Sequence, residues 1–150
     1  MGAPVLVIGI GNEYRGDDGV GLAVVRALRT RQLENTRLME CDGDCTVLFE
    51  AWKDVDKVIL VDAVVSGASA GTISRFDAHT QALPANYTFS STHAFGIAET
   101  LALARALGQL PPCLIVYGIE GKSFASGESL TPQVKKALPN VVEQVLTDIS

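Results

Sequence analysis

Three apolar runs, at residues 4–10, 57–63 and 113–119, dominate the pattern of hydrophobic and polar positions along the chain. They are rich in β-branched residues and show no polar alternation, which is typical of parallel strands buried on both faces. A shorter segment at about residues 37–41 predicts another strand. Residues 71–77 alternate apolar and polar side chains, as a strand with one solvated face does. The pattern therefore predicts five strands.

Apolar residues at helical spacing predict helices between these strands. The first helix is expected over about residues 18–32, with Asp17 or Asp18 as its N-terminal cap. A short helix is expected around residue 50. The alternation of strands and helices predicts a single α/β domain over residues 1–150, in which helices cover both faces of a mostly parallel sheet.

The second half of the chain contains two further predicted helices. A loop over residues 78–92 precedes a helix that is expected to open at His93 and to reach about residue 107. The last helix is predicted to begin at Thr131, with a proline at its first position. Because Pro139 lies inside its apolar pattern, we expect a kink there or two consecutive helices.

Composition and charge exclude several classes of function. Hydrophobic residues make up 47% of the 150 residues and charged residues 19%, as in a globular domain. The net charge of -5 argues against general binding to nucleic acid or to anionic membranes, which require a basic face. No apolar run approaches the roughly 20 residues that cross a bilayer. The first residues carry no basic segment, so no signal peptide is expected.

Three cysteines are an odd number in a chain long enough to fold without disulfides. Reduced thiols in the cytoplasm are the simplest interpretation. The spacing of Cys41 and Cys45 could indicate half of a metal site. No second cysteine or histidine pair lies nearby, however, and two partly buried thiols beside a turn are favoured.

Polar residues follow the predicted parallel strands at points where ligands usually bind in such sheets. Asp18 follows the first strand, Asp62 ends the second apolar run, and His93 opens a helix. Each alone has an ordinary explanation: a helix cap, a turn, or a hydrogen bond to a loop carbonyl. Together, two carboxylates and an imidazole suit a borderline divalent cation that keeps positions open for a substrate.

Two short patterns imitate known sites. Residues 67–71 match the G-x-S-x-G nucleophile elbow, but that motif requires a helix after the serine and a strand-like segment follows here. Gly9 and Gly11 imitate a dinucleotide-binding turn, but Tyr14 occupies the position of its third glycine and two acids would face the pyrophosphate. With His79 and His93 as the only histidines, an H-E-x-x-H zinc site is excluded.

Four motifs, in order along nearly the whole chain, resemble those of the hydrogenase maturation endopeptidases. They are GIGNEYRGDDGVG at residues 9–21, VDA at 61–63, STHAFGIAE at 91–99 and YGIE at 117–120. These enzymes remove a C-terminal extension from the large subunit of nickel–iron hydrogenase after nickel insertion. The resemblance implies a three-layer α/β/α sandwich with a mixed, mostly parallel sheet, in which the segment at residues 71–76 is antiparallel.

The resemblance also implies which residues meet the metal. The family's metal-binding residues fall on Asp18, Asp62 and His93. The nickel would be carried by the substrate, held by its cysteine thiolates, and these three side chains would complete its coordination. The family's D-G-G-T-type loop is interrupted here after Asp42, so a role for Asp42 is less secure.

The roles of several neighbouring acids stay open at this point. No Ser, Cys or Thr nucleophile is convincingly placed, so attack by water, assisted by the metal or by a carboxylate, is preferred. Asp17 could be a second base, although a helix cap is favoured. Glu120 could line the same edge or be structural, and Glu99 is expected on the solvated face of a helix.

We expect an endopeptidase that acts on a nickel-loaded precursor of a nickel–iron hydrogenase large subunit, in the cytoplasm and as a monomer. The alternative is a non-catalytic, nickel-recognising maturation chaperone on the same scaffold. The resemblance does not indicate which hydrogenase is the partner.

Overall fold

Six strands form one sheet among the residues that the computed structural model describes, which are 4–42, 47–81, 83, 87–89 and 96–150. In chain order the elements are β1 (Val5–Ile10), a 3-10 helix (Gly16–Gly19), α1 (Val20–Leu28), β2 (Thr36–Cys41), α2 (Leu48–Ala51), β3 (Lys57–Val65), β4 (Ile73–Asp77), β5 (Thr88–Phe89), α3 (Ile97–Ala106), β6 (Cys113–Glu120) and α4 (Pro132–Ile149).

The sheet has the order β2-β1-β3-β6-β4, in which the first four strands are parallel. β4 runs antiparallel to β6, which confirms the antiparallel member that the family resemblance implied. β5 pairs antiparallel with the end of β3, where Val64 lies opposite Phe89. The prediction of a loop through this segment was wrong at β5, because a strand of two residues is too short to show a periodic pattern.

Alternate residues of the central strands point into two separate cores. On one face, Val58 and Leu60 of β3 pack with residues of α2 and α3 such as Leu48 and Leu101. On the other face, Ile59 and Val61 pack with residues of α1 and α4 such as Val24 and Val145. This arrangement confirms the three-layer α/β/α class: strands buried on both faces have no polar alternation because both faces are covered by helices.

The first helix is shorter than predicted. α1 begins at Val20, with Gly19 as its N-cap residue and no side-chain cap, and it ends at Leu28. Asp17 and Asp18 instead lie in the preceding 3-10 helix, so the prediction that one of them caps α1 was wrong. Both carboxylates accept hydrogen bonds from residues outside α1 and do not cap its first N–H groups.

The last two helices also differ from the prediction. α3 begins at Ile97, not at residue 93, because Gly96 has an extended backbone and serves as the N-cap. α4 is one helix over Pro132–Ile149, so the expected split into two helices was wrong. Pro139 is exposed, so it lies on the solvent side of the helix.

The structure explains the two segments that match the nucleophile-elbow and dinucleotide-binding patterns. Residues 67–71 lead into β4, so the nucleophile-elbow interpretation was rightly rejected. A Cβ atom on Gly9, inside β1, would lie 2.2 Å from the carbonyl oxygen of Gly21 in α1. Gly9 therefore lets α1 pack directly on the strand. No helix among the described residues is long and apolar enough to cross a membrane.

The cysteines agree with the prediction of reduced thiols as far as they are described. Cys41, at the end of β2, is buried, and Cys113, at the start of β6, is partly buried; neither is in a disulfide. Cys45 lies outside the described residues, so the suggested pair with Cys41 stays a prediction.

Candidate active site

Two of the predicted site residues lie at the same edge of the sheet, one in β3 and one shortly after the neighbouring strand β1. β1 and β3 are parallel, and their last paired residues are Gly9 and Val61. Asp62 is the next residue along β3, and Asp18 is in the 3-10 helix that follows β1 and contacts β3. Since adjacent strands are about 4.8 Å apart, this topology brings the two acids to one region of the carboxyl edge.

Asp62 lies inside β3 and does not end it. β3 continues to Val65 because β6 pairs with it as far as Val64. The side chain of Asp62 is fully buried, and its Oδ1 accepts a hydrogen bond of 2.8 Å from the backbone N–H of Ala63. Asp62 comes two residues after Leu60, and alternate side chains of a strand lie on the same face of the sheet. Its side chain therefore points to the face covered by α2 and α3.

Asp18 is held by the turn that precedes it. The residue is only 3% exposed, and its Oδ2 accepts hydrogen bonds from the backbone N–H of Asn12 at 3.2 Å and from Arg15 at 3.4 Å. A Cβ atom on Gly11 would lie 1.8 Å from the carbonyl oxygen of Asp18, and the φ of +147° at Gly11 is one that other residues rarely adopt. Glycine at position 11 therefore permits the close approach of the strand end to Asp18.

His93, the third predicted site residue, lies outside the described residues. It precedes Gly96, the N-cap of α3, by three positions in the sequence. No three His, Cys, Asp or Glu side chains form a metal-binding group within the described part of the chain, which contains only two of the three predicted residues. The arrangement of the complete triad stays a prediction.

Asp17 makes contacts that the sequence did not predict. It is fully buried, and its two carboxylate oxygens accept hydrogen bonds from the backbone N–H groups of Lys122, Ser123 and Thr131 and from the hydroxyl of Thr131. Four donors match the four lone-pair positions of a carboxylate. With no exposed surface, Asp17 does not meet the requirement of a second base, and it does not cap α1. Its partners are more than a hundred positions away, where no local pattern could reveal them.

The two glutamates whose roles the sequence left open, Glu120 and Glu99, make structural hydrogen bonds. Glu120, only 4% exposed, accepts hydrogen bonds from the backbone N–H of Ser66 at 2.9 Å and from its hydroxyl at 2.6 Å, and so ties the end of β6 to the loop after β3. Glu99 is exposed, as expected, but lies in the first turn of α3 and accepts a 2.9 Å hydrogen bond from Gly96. This role, in which the side chain of the third helical residue accepts from the N-cap N–H, was missed because the helix was predicted to begin earlier.

A groove of about 380 Å³ opens beside Asp18, between the ends of β1 and β2. On its wall Arg26 donates to Glu13 at 2.7 Å and to Glu40 at 2.9 Å. The hydrogen bond from Arg26 lowers the pKa of Glu13, and the hydrogen bonds from Arg26 and Arg29 lower the pKa of Glu40 although its burial opposes them. Asp42 is exposed on the same wall.

The fold and the site together define a class: a three-layer α/β protein with buried acids at the carboxyl edge of a mixed sheet. The family model described as hydrogenase maturation protease matches residues 22–148. That stretch includes Asp62 and His93, and Asp18 lies just before it. The chain therefore belongs to the hydrogenase maturation protease family.

Individual relatives extend the similarity to nearly the whole chain. The hydrogenase 2 maturation protease of Escherichia coli is 32% identical over 147 residues, which cover 95% of this chain and 88% of the relative. The hydrogenase expression/formation protein HupD of Thiocapsa roseopersicina is 30% identical over 145 residues; the match covers 95% of this chain but 66% of HupD.

Solved structures agree with the sequence relatives. The hydrogenase maturating endopeptidase HybD from E. coli superposes with a TM-score of 0.77 at 25% identity, over 97% of this chain and 91% of HybD. The solution structure of an endopeptidase from E. coli has a TM-score of 0.80 at 26% identity, over 96% of this chain and 90% of that one. These matches confirm the α/β fold.

Proposed function

We propose that this protein is an endopeptidase that removes the C-terminal extension of a nickel-loaded nickel–iron hydrogenase large subunit. Asp18, Asp62 and His93 recognise the nickel that the substrate carries. The observation that supports this most directly is the burial of Asp18 and Asp62 at one edge of the sheet. Burying ionisable carboxylates costs free energy, so a chain that keeps two of them at the carboxyl edge of its sheet, where ligands bind in such folds, uses them for chemistry or for essential structure.

The chemistry of these groups fits a nickel ion carried by the substrate. Carboxylate oxygens and an imidazole nitrogen bind borderline divalent cations, whereas thiolates of the precursor would supply the softer ligands. Docking would then require nickel in the precursor, and the shared ion would fix the scissile bond relative to the enzyme. A carboxylate of the site takes a proton from a water molecule, whose oxygen attacks the peptide carbonyl; the C–N bond then breaks, and the proton goes to the amine of the released C-terminal peptide.

The test is to mix the purified protein with nickel-loaded precursor and to follow the precursor mass over time. The wild-type protein should release the C-terminal peptide. Loss of an outer-sphere partner of a metal typically costs about 10–100-fold. Because Asp18, Asp62 and His93 would bind the nickel directly, Asp18→Asn, Asp62→Asn and His93→Ala should each slow release by at least about 100-fold. Circular dichroism should show that each variant keeps the wild-type fold.

The matched control is Glu143→Gln on the exposed side of α4. Glu143 pairs with Arg31 at 3.3 Å, and both side chains are largely exposed. Such surface pairs contribute about 0–1 kcal/mol, so this variant should cleave as the wild type does. Equal cleavage of a nickel-free precursor would contradict nickel recognition. A stable complex that is never cleaved would instead identify the protein as a maturation chaperone.

The proposal includes a monomer that acts in the cytoplasm. The free thiol of Cys113 fits a reducing compartment. Light scattering of the purified protein should give the mass of one chain, and a mass of two chains would contradict the monomer.

A further inference from the structure

Two distant parts of the chain are joined beside Asp18. One is the turn over residues 12–18, and the other is the β6–α4 loop, residues 121–131. Three backbone hydrogen bonds connect them: Gly16 N–H to the Glu128 carbonyl at 3.0 Å, Asp17 N–H to the Ser123 carbonyl at 2.8 Å, and Gly127 N–H to the Tyr14 carbonyl at 2.7 Å. The turn that carries Asp18 is therefore built partly by residues that follow β6.

Asp17 is the centre of this junction. Its Oδ2 accepts from Lys122 N–H at 2.7 Å and from Ser123 N–H at 3.1 Å, and its Oδ1 accepts from Thr131 N–H at 2.7 Å. The Thr131 hydroxyl lies 3.0 Å from Oδ1 and 2.8 Å from Oδ2. Thr131 is the N-cap residue of α4, so the negative charge lies where the helix dipole favours it.

Only a carboxylate satisfies all four donors. An asparagine at position 17 has one oxygen and one NH2 group, and either orientation would turn the NH2 group towards backbone N–H donors. Because the residue is fully buried, water cannot replace the lost acceptor. Replacing the carboxylate by an amide should therefore loosen the junction while keeping nearly the same side-chain volume.

The junction has no space in which to adjust. Gly16 has a φ of +58°, and a Cβ atom there would lie 2.5 Å from the Ser123 carbonyl oxygen. A Cβ atom on Gly121 would lie 3.2 Å from the Cβ of Asp17. A change in the hydrogen bonding of Asp17 must therefore move the backbone of the turn.

Asp18 would move with this turn. It is the next residue, its N–H donates to the Arg15 carbonyl at 3.1 Å, and its Oδ2 accepts from Asn12 N–H. All of these groups belong to the turn that Asp17 fastens. Sites of this kind must be held to within about 0.5 Å, and a displacement of about 1 Å can cost about 100-fold.

We propose that Asp17 is a positioning residue that fastens the β6–α4 loop to the turn and thereby sets the place of the Asp18 carboxylate. This inference rests on the proposed function, in which Asp18 recognises the nickel of the precursor. Asp17 itself contacts neither the precursor nor its nickel.

A double-mutant cycle tests this role. Asp17→Asn, Asp18→Asn and the double variant are compared with the wild type by the dissociation constant for nickel-loaded precursor, measured by interferometry below the unfolding temperature of every variant. Asp17→Asn should weaken binding at least about 10-fold, and the double variant should bind within about 2-fold of Asp18→Asn. A general loss of structure would make the two effects multiply instead, because independent effects add in free energy.

Two further variants complete the experiment. Ser126→Ala changes an exposed residue of the same loop and should bind as the wild type does. Thr131→Val removes one donor but keeps the charge of Asp17; it should weaken binding less than Asp17→Asn does. If Asp17→Asn does not fold, Thr131→Val takes its place in the cycle, with the same expected lack of effect in the Asp18→Asn background.

The outcomes separate this inference from the proposed function. If Asp18→Asn weakens binding but Asp17→Asn and Thr131→Val bind as the wild type does, the positioning role is wrong and the proposed function stands. Multiplying effects would also overturn it, because Asp17 would then act independently of Asp18. Wild-type affinity of Asp18→Asn would contradict nickel recognition by Asp18 and, with it, the positioning role.

Discussion

Gly21 shows how a single residue determines the distance between a helix and the sheet beside the site. A Cβ atom there would lie 2.3 Å from the carbonyl oxygen of Val61 in β3 and 2.7 Å from that of Ile10 in β1. Both neighbours are backbone atoms of buried strands and cannot turn aside. α1 therefore lies directly on the two strands whose carboxyl ends carry the site.

We predict that Gly21→Ala destabilises the protein although alanine favours helices. Helix propensity would contribute about 1 kcal/mol in its favour, but overpacking against two strands costs about 1–3 kcal/mol or more. The free energy of unfolding in urea, followed by the fluorescence of Trp52, should therefore fall by up to about 2 kcal/mol.

The control for this prediction is Ala23→Gly in the same helix. Ala23 is half-buried. Its replacement by glycine should lower the free energy of unfolding by about 1 kcal/mol, because glycine has the lower helix propensity. A Gly21→Ala protein more stable than the wild type would show that α1 can move away from the sheet.

At the scale of elements, α4 shows how packing overcomes a local preference. Pro139 supplies no N–H group for the helical hydrogen bond to Lys135, and prolines inside helices usually interrupt them. Yet the helix is continuous, because its buried side chains on both sides of Pro139, including Val134, Val141 and Val145, pack against the sheet. The ring of Pro139 points to the exposed side.

We predict that Pro139→Ala stabilises the protein. The substitution restores a helical hydrogen-bond donor and removes a penalty of up to about 3 kcal/mol relative to alanine. The free energy of unfolding in urea should rise by about 1–3 kcal/mol. Asn140→Ala, at the next exposed position, is the control and should gain well under 1 kcal/mol. An unchanged stability of Pro139→Ala would mean that the surrounding helix has already adjusted to the proline.

At the scale of the whole molecule, the two cores share the same strands. Leu60 and Val61 are neighbours in β3 but pack into opposite layers. Neither layer can lose its strand partners without exposing the other. The two helical layers should therefore unfold together, as small single domains usually do.

We predict that the tryptophan fluorescence of one layer and the circular dichroism of all the helices, including α4 in the other layer, report the same transition. Trp52, the single tryptophan, is buried in the layer of α2 and α3, whereas α4, an 18-residue helix, lies in the other layer. Tryptophan fluorescence and far-ultraviolet circular dichroism should give the same urea midpoint. A fluorescence transition at lower urea would show that the α2–α3 layer unfolds separately.

The sequence predicted the buried strands well but the ends of the helices poorly. The buried strands β1, β3 and β6 were found nearly at their observed bounds, because a strand covered on both faces leaves an unbroken apolar run. The ends of α1 and the start of α3 were missed, because they depend on which backbone N–H groups donate hydrogen bonds to Asp17, Asp18 and Glu99.

The sequence by itself determined the order of elements apart from β5, the three-layer class through the family's motifs, and the placing of Asp18 and Asp62 at the carboxyl edge. These features follow from local periodicity and from the rule that parallel strands present their ends together. The tertiary structure alone decided that Asp17 accepts from Lys122 and Thr131, which are 105 and 114 positions away. Contacts between such distant residues leave no periodic trace, because only the folded sheet brings them together.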